Sequence, residues 1–133
     1  MRNFIKLIEP YIGFEEVSSE IKNIFSSGRF TQGENVEKFT RNLVSYIGCD
    51  YAGLTTSATT ALALSLRILG VKPGSKVGVS DYSWPASSNV IEEIGAVPVF
   101  IDIDTDTFNM SRVDLEKKIE NNLSAIIFVD TFG

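Results

Sequence analysis

The sequence predicts an α/β protein: a mainly parallel sheet with helices on both faces, preceded by two N-terminal helices. Three observations carry this. Beyond residue 50, short apolar runs alternate with helical windows of about ten residues, which implies right-handed crossovers between parallel strands. The strand-like runs, such as Val99-Phe-Ile-Asp-Ile103 and Ala125-Ile-Ile-Phe-Val129, are nearly continuous in apolar residues, as strands covered on both faces are. Before residue 50 the spacing is helical alone.

Taken in order, Glu15 to Ser26 places Val17, Ile21, Ile24 and Phe25 on one helical face, and Gly28 stops it. The polar turn Gly28-Arg-Phe-Thr-Gln-Gly33 follows. A second helix from Glu34 to Ile47 carries Val36, Phe39, Leu43, Val44 and Ile47 as its apolar stripe, with Gly48 at its end. These segments set an N-terminal helical arm at residues 1–48 and the α/β region at 49–133. Tyr51 to Thr56 reads as a strand, and Thr60 to Leu69 as a helix closed by Gly70. Pro73-Gly74 turns the chain into a strand at Lys76–Ser80. Pro85 suits the first turn of a helix running to Ile94. Gly95-Ala-Val-Pro98 leads into a strand at Val99–Ile103. Ser111 is a cap for a helix to Glu120, with Asp114 at its third position. Ala125–Asp130 is the last strand, and Gly133 follows so closely that the sequence is expected to be a fragment.

Composition excludes several function classes. Of 133 residues, 44% are hydrophobic and 22% charged, ordinary for a globular protein. A net charge of −5 gives no basic footprint for nucleic acid or an anionic membrane. Cys49 is the single cysteine, so no intrachain disulfide forms, and a reducing, cytoplasmic setting is expected. There is no histidine, which removes Ser-His-Asp and Cys-His mechanisms from these residues. Residues 1–10 do not read as a signal peptide, and no run approaches the roughly 20 apolar residues of a membrane span.

Two segments could carry chemistry. Thr55-Thr-Ser-Ala-Thr-Thr60 opens a helix, where unpaired N–H groups, the positive dipole end and the Ser57 and Thr59 hydroxyls welcome a phosphate. The alternative is that Thr56 or Ser57 merely caps the helix. Ser80-Asp-Tyr-Ser-Trp-Pro-Ala86 lies at the carboxyl end of a strand, where ligands of open parallel sheets bind. Trp84 there could stack on a flat heteroaromatic ring or pack on a neighbouring helix. Asp102-Ile-Asp-Thr-Asp106 lacks the remaining ligands of a calcium loop and reads as turn chemistry. No metal site is expected. Cys49, with no nearby cation to activate it, reads as structural.

In sequence order these segments resemble the DegT/StrS family of sugar aminotransferases, within fold type I of the pyridoxal-phosphate enzymes. Gly28-Arg-Phe-Thr-Gln-Gly33 with Val36-Glu-Lys-Phe39 resembles the family's "SGxxTxG…V…FE". Ser57-Ala-Thr-Thr-Ala-Leu62 resembles "SGTxAL", with Ala58 where glycine is commoner. Val71-Lys-Pro-Gly74, Tyr82-Ser-Trp-Pro-Ala86, Gly95-Ala-Val-Pro-Val-Phe-Ile-Asp102 and Ala125-Ile-Ile-Phe-Val-Asp-Thr-Phe-Gly133 resemble four further motifs, in register. Asp130 stands where the family usually has histidine.

The resemblance implies a set of expectations. Ser57, Ala58 and Thr59 would hold the phosphate of pyridoxal 5'-phosphate (PLP), and Trp84 would stack on its ring. Thr31, Gln32 and Gly33 would lie near a nucleotide-sugar site. The reaction would move an amino group, usually from glutamate, to a nucleotide-linked keto-sugar, at sites formed in a homodimer. The 49–133 region would be the first portion of the PLP-binding large domain. The lysine that bonds the cofactor belongs to a motif matched by none of Lys6, Lys22, Lys38, Lys72, Lys76, Lys117 and Lys118, so these residues alone are expected to be inactive. Alternatives are a PLP-dependent sugar dehydratase of the same fold and a short non-catalytic protein that binds a partner or a nucleotide sugar.

Overall fold

Two helical stripes and one three-stranded sheet organise the chain, whose computed structural model describes residues 9–11 and 13–132. The sequence readings of residues 1–8, Ile12 and Gly133 lie outside the described residues. The chain divides into two compact units, residues 1–53 and 54–133.

In the first unit, α1 (Phe14–Ser27) and α2 (Glu34–Ile47) each span 14 residues. Both begin with acidic residues, Glu15 and Glu16 in one and Glu34 and Glu37 in the other, which complement the helix dipole. Both stop at a left-handed glycine. Gly28 has φ 67° and donates to the Ile24 carbonyl, and Gly48 has φ 75° and donates to the Val44 carbonyl. Neither helix contains a buried residue. Phe25 and Phe30 meet edge-to-face at 5.5 Å across the first helix end.

The second unit begins with α3 (Ala58–Ile68), then β1 (Lys76–Ser80), α4 (Ala86–Glu93), β2 (Val97–Ile101), α5 (Arg112–Ile119) and β3 (Leu123–Ile127). The strands pair in parallel in the order β2-β1-β3, with Val79 opposite Phe100 on one side and Ile127 on the other. The chain therefore steps from β1 one way to β2, then back past β1 to β3. Right-handed crossovers in opposite directions put α4 and α5 on opposite faces of the sheet.

Burial agrees with this layering. Val77 and Val79 of β1 join Ile127, Val90 and Ile91 of α4, and Ala63 and Leu66 of α3 in one cluster. Val77, Val79, Val90 and Ile91 are wholly buried, each worth about 1.5–3 kcal/mol of transfer free energy. Gly78 points the other way, where an added Cβ would come 2.8 Å from Ile101 Cδ1 and 3.2 Å from Leu123 Cδ1. A side chain there would force the Ile101 methyl to shift.

Three expectations change. The strand expected at Tyr51–Thr56 does not form, because a strand needs a partner and the sheet pairs only β1, β2 and β3. Gly53 inside it weakens the extended form further. The strand expected at Val99–Ile103 runs from Val97 to Ile101. Pro98 is tolerated inside it because β2 is an edge strand, and Ile103 instead forms an isolated antiparallel bridge with Met110. The last strand starts at Leu123 and ends at Ile127, two residues ahead of its expected start and three ahead of its expected end. The other helices lie within two residues of their expected ends, and α2 has the expected bounds.

Candidate functional site

Helix α3 runs into β1 through a short turn in which Val71 N–H donates to the Leu66 carbonyl. An 11-residue helix spans about 16 Å, close to the length of a five-residue strand. Ala63 and Leu66 of that helix pack in one cluster with Val77 and Val79 of β1, and the loop carrying Trp84 leaves the carboxyl end of β1.

Ser57 caps α3, and its Oγ accepts from Thr60 N–H at 3.1 Å. The capping role weighed for Ser57 is thus formed. It leaves other donors available: Ala58 and Thr59 are the first two helical residues, so their N–H groups precede the first intrahelical bond, which Ala61 N–H makes to the Ser57 carbonyl. Residues 55–60 are all exposed.

The loop after β1 is anchored at both ends. Asp81 N–H donates to the Ile101 carbonyl at 2.8 Å, and the Trp84 carbonyl accepts from Ser87 N–H at 3.0 Å. The Trp84 side chain is 81% exposed, so the helix-packing alternative is not adopted within this unit. Ser80, at the end of β1, is 1% exposed, and its hydroxyl has no partner among the described residues.

The loops after β2 and β3 meet the loop after β1. Phe108, with φ 60°, has its ring 5.5 Å from that of Tyr82 and 5.8 Å from that of Phe132. Asn109 Oδ1 accepts from Thr131 N–H, and the Phe108 carbonyl accepts from Thr131 Oγ1, both at 3.1 Å. Sequence reasoning missed Phe108, Asn109, Thr131 and Phe132. No signal in the run Thr107-Phe-Asn109 points to them.

The acidic run takes up turn chemistry. Asp104 Oδ1 accepts from the N–H groups of Thr107 and Asp106 and from the Thr107 hydroxyl, which holds its carboxyl below the usual range. Asp114 accepts from Lys118 Nζ at 2.6 Å and from Asp102 N–H at 2.8 Å, and the lysine bond is the first cause of its lowered pKa. Lys118 also donates to the Phe100 carbonyl at 2.7 Å. Asp102, Asp114 and Lys118, with Asp81 and Phe100, line a notch of about 300 Å³. No cluster of three or more metal-ligating side chains is present among the described residues.

Thr31, Gln32 and Gly33 belong to the first unit. Gln32 and Gly33 line an open cavity of about 670 Å³ together with Arg29 and Lys38, whereas Thr31 is not part of its lining. Cys49 donates to the Tyr51 carbonyl at 3.2 Å, a local bond that fits its structural reading. Among the described residues no helix is long and apolar enough to cross a membrane.

Comparison with known proteins gives a consistent picture. The model of the DegT/DnrJ/EryC1/StrS aminotransferase family matches residues 12–133. The spore coat polysaccharide biosynthesis protein SpsC of Bacillus subtilis (strain 168) is 33% identical over 131 residues, covering 98% of this chain and 33% of its own length. A DegT DnrJ EryC1 StrS aminotransferase from Brucella abortus superposes with a TM-score of 0.81 at 33% identity, over 90% of this chain and 34% of that one. Spr1654 from Streptococcus pneumoniae, in a PLP-form, does so with a TM-score of 0.77 at 37% identity, over 85% and 29%. The chain thus spans about a third of the length of these relatives.

Proposed function

The chain belongs to the DegT/DnrJ/EryC1/StrS aminotransferase family, whose members use PLP, and from that premise we propose that it is part of an enzyme that aminates a nucleotide-linked keto-sugar. Glutamate is the proposed donor, a homodimer the working assembly, the cytoplasm its location, and cell-surface polysaccharide or deoxyaminosugar synthesis its purpose. In this reading residues 1–48 are a helical arm and residues 49–133 the first portion of the cofactor-binding large domain.

The observation that carries the reading is the pairing, on one unit, of an anion-suited helix start with an exposed indole. Ala58 and Thr59 offer unpaired N–H groups, and Ser57 and Thr59 offer hydroxyls, for a phosphate. Trp84 has a free face for a pyridine ring. These residues fit PLP in donor type and exposure. When bound, PLP supplies the electron sink that makes the amino-bearing carbon acidic. Ser57, Ala58 and Thr59 would orient it by its phosphate, and Trp84 would hold its ring flat. Thr31, Gln32 and Gly33 are proposed to face the nucleotide sugar.

None of the seven lysines is assigned the covalent role, so these 133 residues alone are proposed to lack activity. Mixing the chain with PLP, reducing with borohydride and measuring intact mass tests this. The reading expects no stoichiometric adduct. A single-lysine adduct in full yield would overturn the claim of inactivity.

A further inference from the structure

Three loops leave the carboxyl edge of the sheet, and they are tied to one another by a single short segment. The loop after β1 (Asp81–Pro85) has its backbone anchored at Asp81 and at Trp84. Between those anchors, Tyr82 leans on the ring of Phe108 from the loop after β2. Phe108 also meets Phe132 from the loop after β3, nearly perpendicular at 87°. Its neighbour Asn109 accepts from Thr131 N–H, and its own carbonyl accepts from Thr131 Oγ1. One backbone N–H, one hydroxyl and one ring of the third loop are therefore joined to two consecutive residues of the second.

The backbone of Phe108 sits in the left-handed region, which a bulky residue rarely enters. A conformation of that kind persists only where its surroundings over-determine it. Here Phe108 N–H donates to the Asp104 carbonyl at 2.8 Å, Asp104 in turn is held by Asp106 and Thr107, and the ring is gripped from both sides. The left-handed turn aims the Phe108 ring at its neighbouring loops and the Asn109 amide at Thr131.

We propose that Phe108 and Asn109 are positioning residues, a clasp that holds the Tyr82–Trp84 segment in one place so that the Trp84 indole meets a flat ring without first being ordered. The value of such pre-organisation is that the ligand need not bear the ordering cost of the loop. The clasp rests on the reading of Trp84 as the ring-stacking residue only for its purpose, not for its existence.

Trp84 is the single tryptophan, so its fluorescence reports on this loop alone. The test is time-resolved anisotropy of Trp84 in the full chain and in Phe108→Gly, Phe108→Tyr, Asn109→Ala and Phe100→Ala. Phe108→Gly removes the ring while suiting the left-handed backbone, and Phe108→Tyr keeps the ring. Phe100→Ala, on β2 and outside the clasp, controls for a merely structural loss. The expected result is a several-fold larger amplitude of fast Trp84 motion in Phe108→Gly and Asn109→Ala, with Phe108→Tyr and Phe100→Ala unchanged. Unchanged Trp84 motion in both clasp variants, with the helical signal retained, overturns the proposal. Equal loosening in Phe100→Ala overturns it too. A titration with PLP then separates the two readings: weaker PLP binding in the clasp variants with phosphate binding unaltered ties the clasp to the ring. Loosened Trp84 with no PLP binding in any variant keeps the clasp and refutes the cofactor site.

Discussion

The two units of this chain use the same apolar periodicity to opposite effect. In α1 and α2 the stripes Val17-Ile21-Ile24 and Val36-Phe39-Leu43 are as regular as any in the molecule, yet neither helix contains a buried residue. In residues 54–133 the shorter helix α4 buries Ser87, Val90 and Ile91, because a sheet lies beneath it. Periodicity specifies a face, and burial depends on what that face meets. Among the described residues, the buried apolar side chains therefore all belong to the second unit.

The sharpest way to break that contrast is a pair of core substitutions. Ile91→Ala, in the wholly buried centre of α4, is expected to cost about 2–5 kcal/mol in denaturant unfolding of residues 54–133. Gly78→Ala comes next, at about 1–3 kcal/mol, because the new methyl meets the buried Ile101 side chain in an already filled space. A neutral Gly78→Ala would mean that Ile101 has room to shift and that the β1–β2 contact is looser than described.

Acidification is a milder probe of the same unit. Asp104 and Asp114 both have folded pKa values below their ordinary ones, the first from the Thr107 and Asp106 hydrogen bonds and the second from Lys118. A depressed carboxylate binds protons less readily in the folded than in the unfolded state. The stabilisation it brings is present above the usual carboxylate range and is lost as pH falls through the lower folded values. Thermal midpoints are therefore expected to hold down to about pH 4 and to decline below it. Asp114→Asn should flatten that decline, and a wild-type curve with no acid limb would remove these bonds from the account.

The smallest effect is expected in the first unit. Phe39→Ala, at a side chain 56% exposed, should change stability by no more than about 0.5 kcal/mol. A loss as large as that of Ile91→Ala would show that the α2 stripe is covered in solution, and the contrast between the units would fall.

What the sequence revealed follows the range of its signals. Helix α2 was legible to the residue because Gly33 and Gly48 bracket a clean stripe, and the Ser111 cap was legible from Ser111 and Asp114. The run Tyr51–Thr56 was misread because extended propensity is local whereas strand pairing is not. The displaced start of β2 reflects the edge position of Pro98, which no local pattern encodes. At the site, the place of Trp84 could be read from a strand-turn-helix rhythm, whereas α3 starts two residues before its expected start and the strand expected ahead of it does not form. The Phe108 clasp could not, since nothing in Thr107-Phe-Asn109 announces a left-handed phenylalanine gripped by two other loops.

The central claim is that the carboxyl edge of residues 54–133 holds a cofactor by its phosphate at the start of α3 and by its ring on Trp84. Titrating the chain with PLP while following Trp84 emission, with pyridoxal and inorganic phosphate as comparisons, tests it most directly. The account predicts saturable quenching by PLP that inorganic phosphate competes away and that Ser57→Ala weakens. Quenching by pyridoxal as strong as by PLP, with no competition from phosphate, would contradict it.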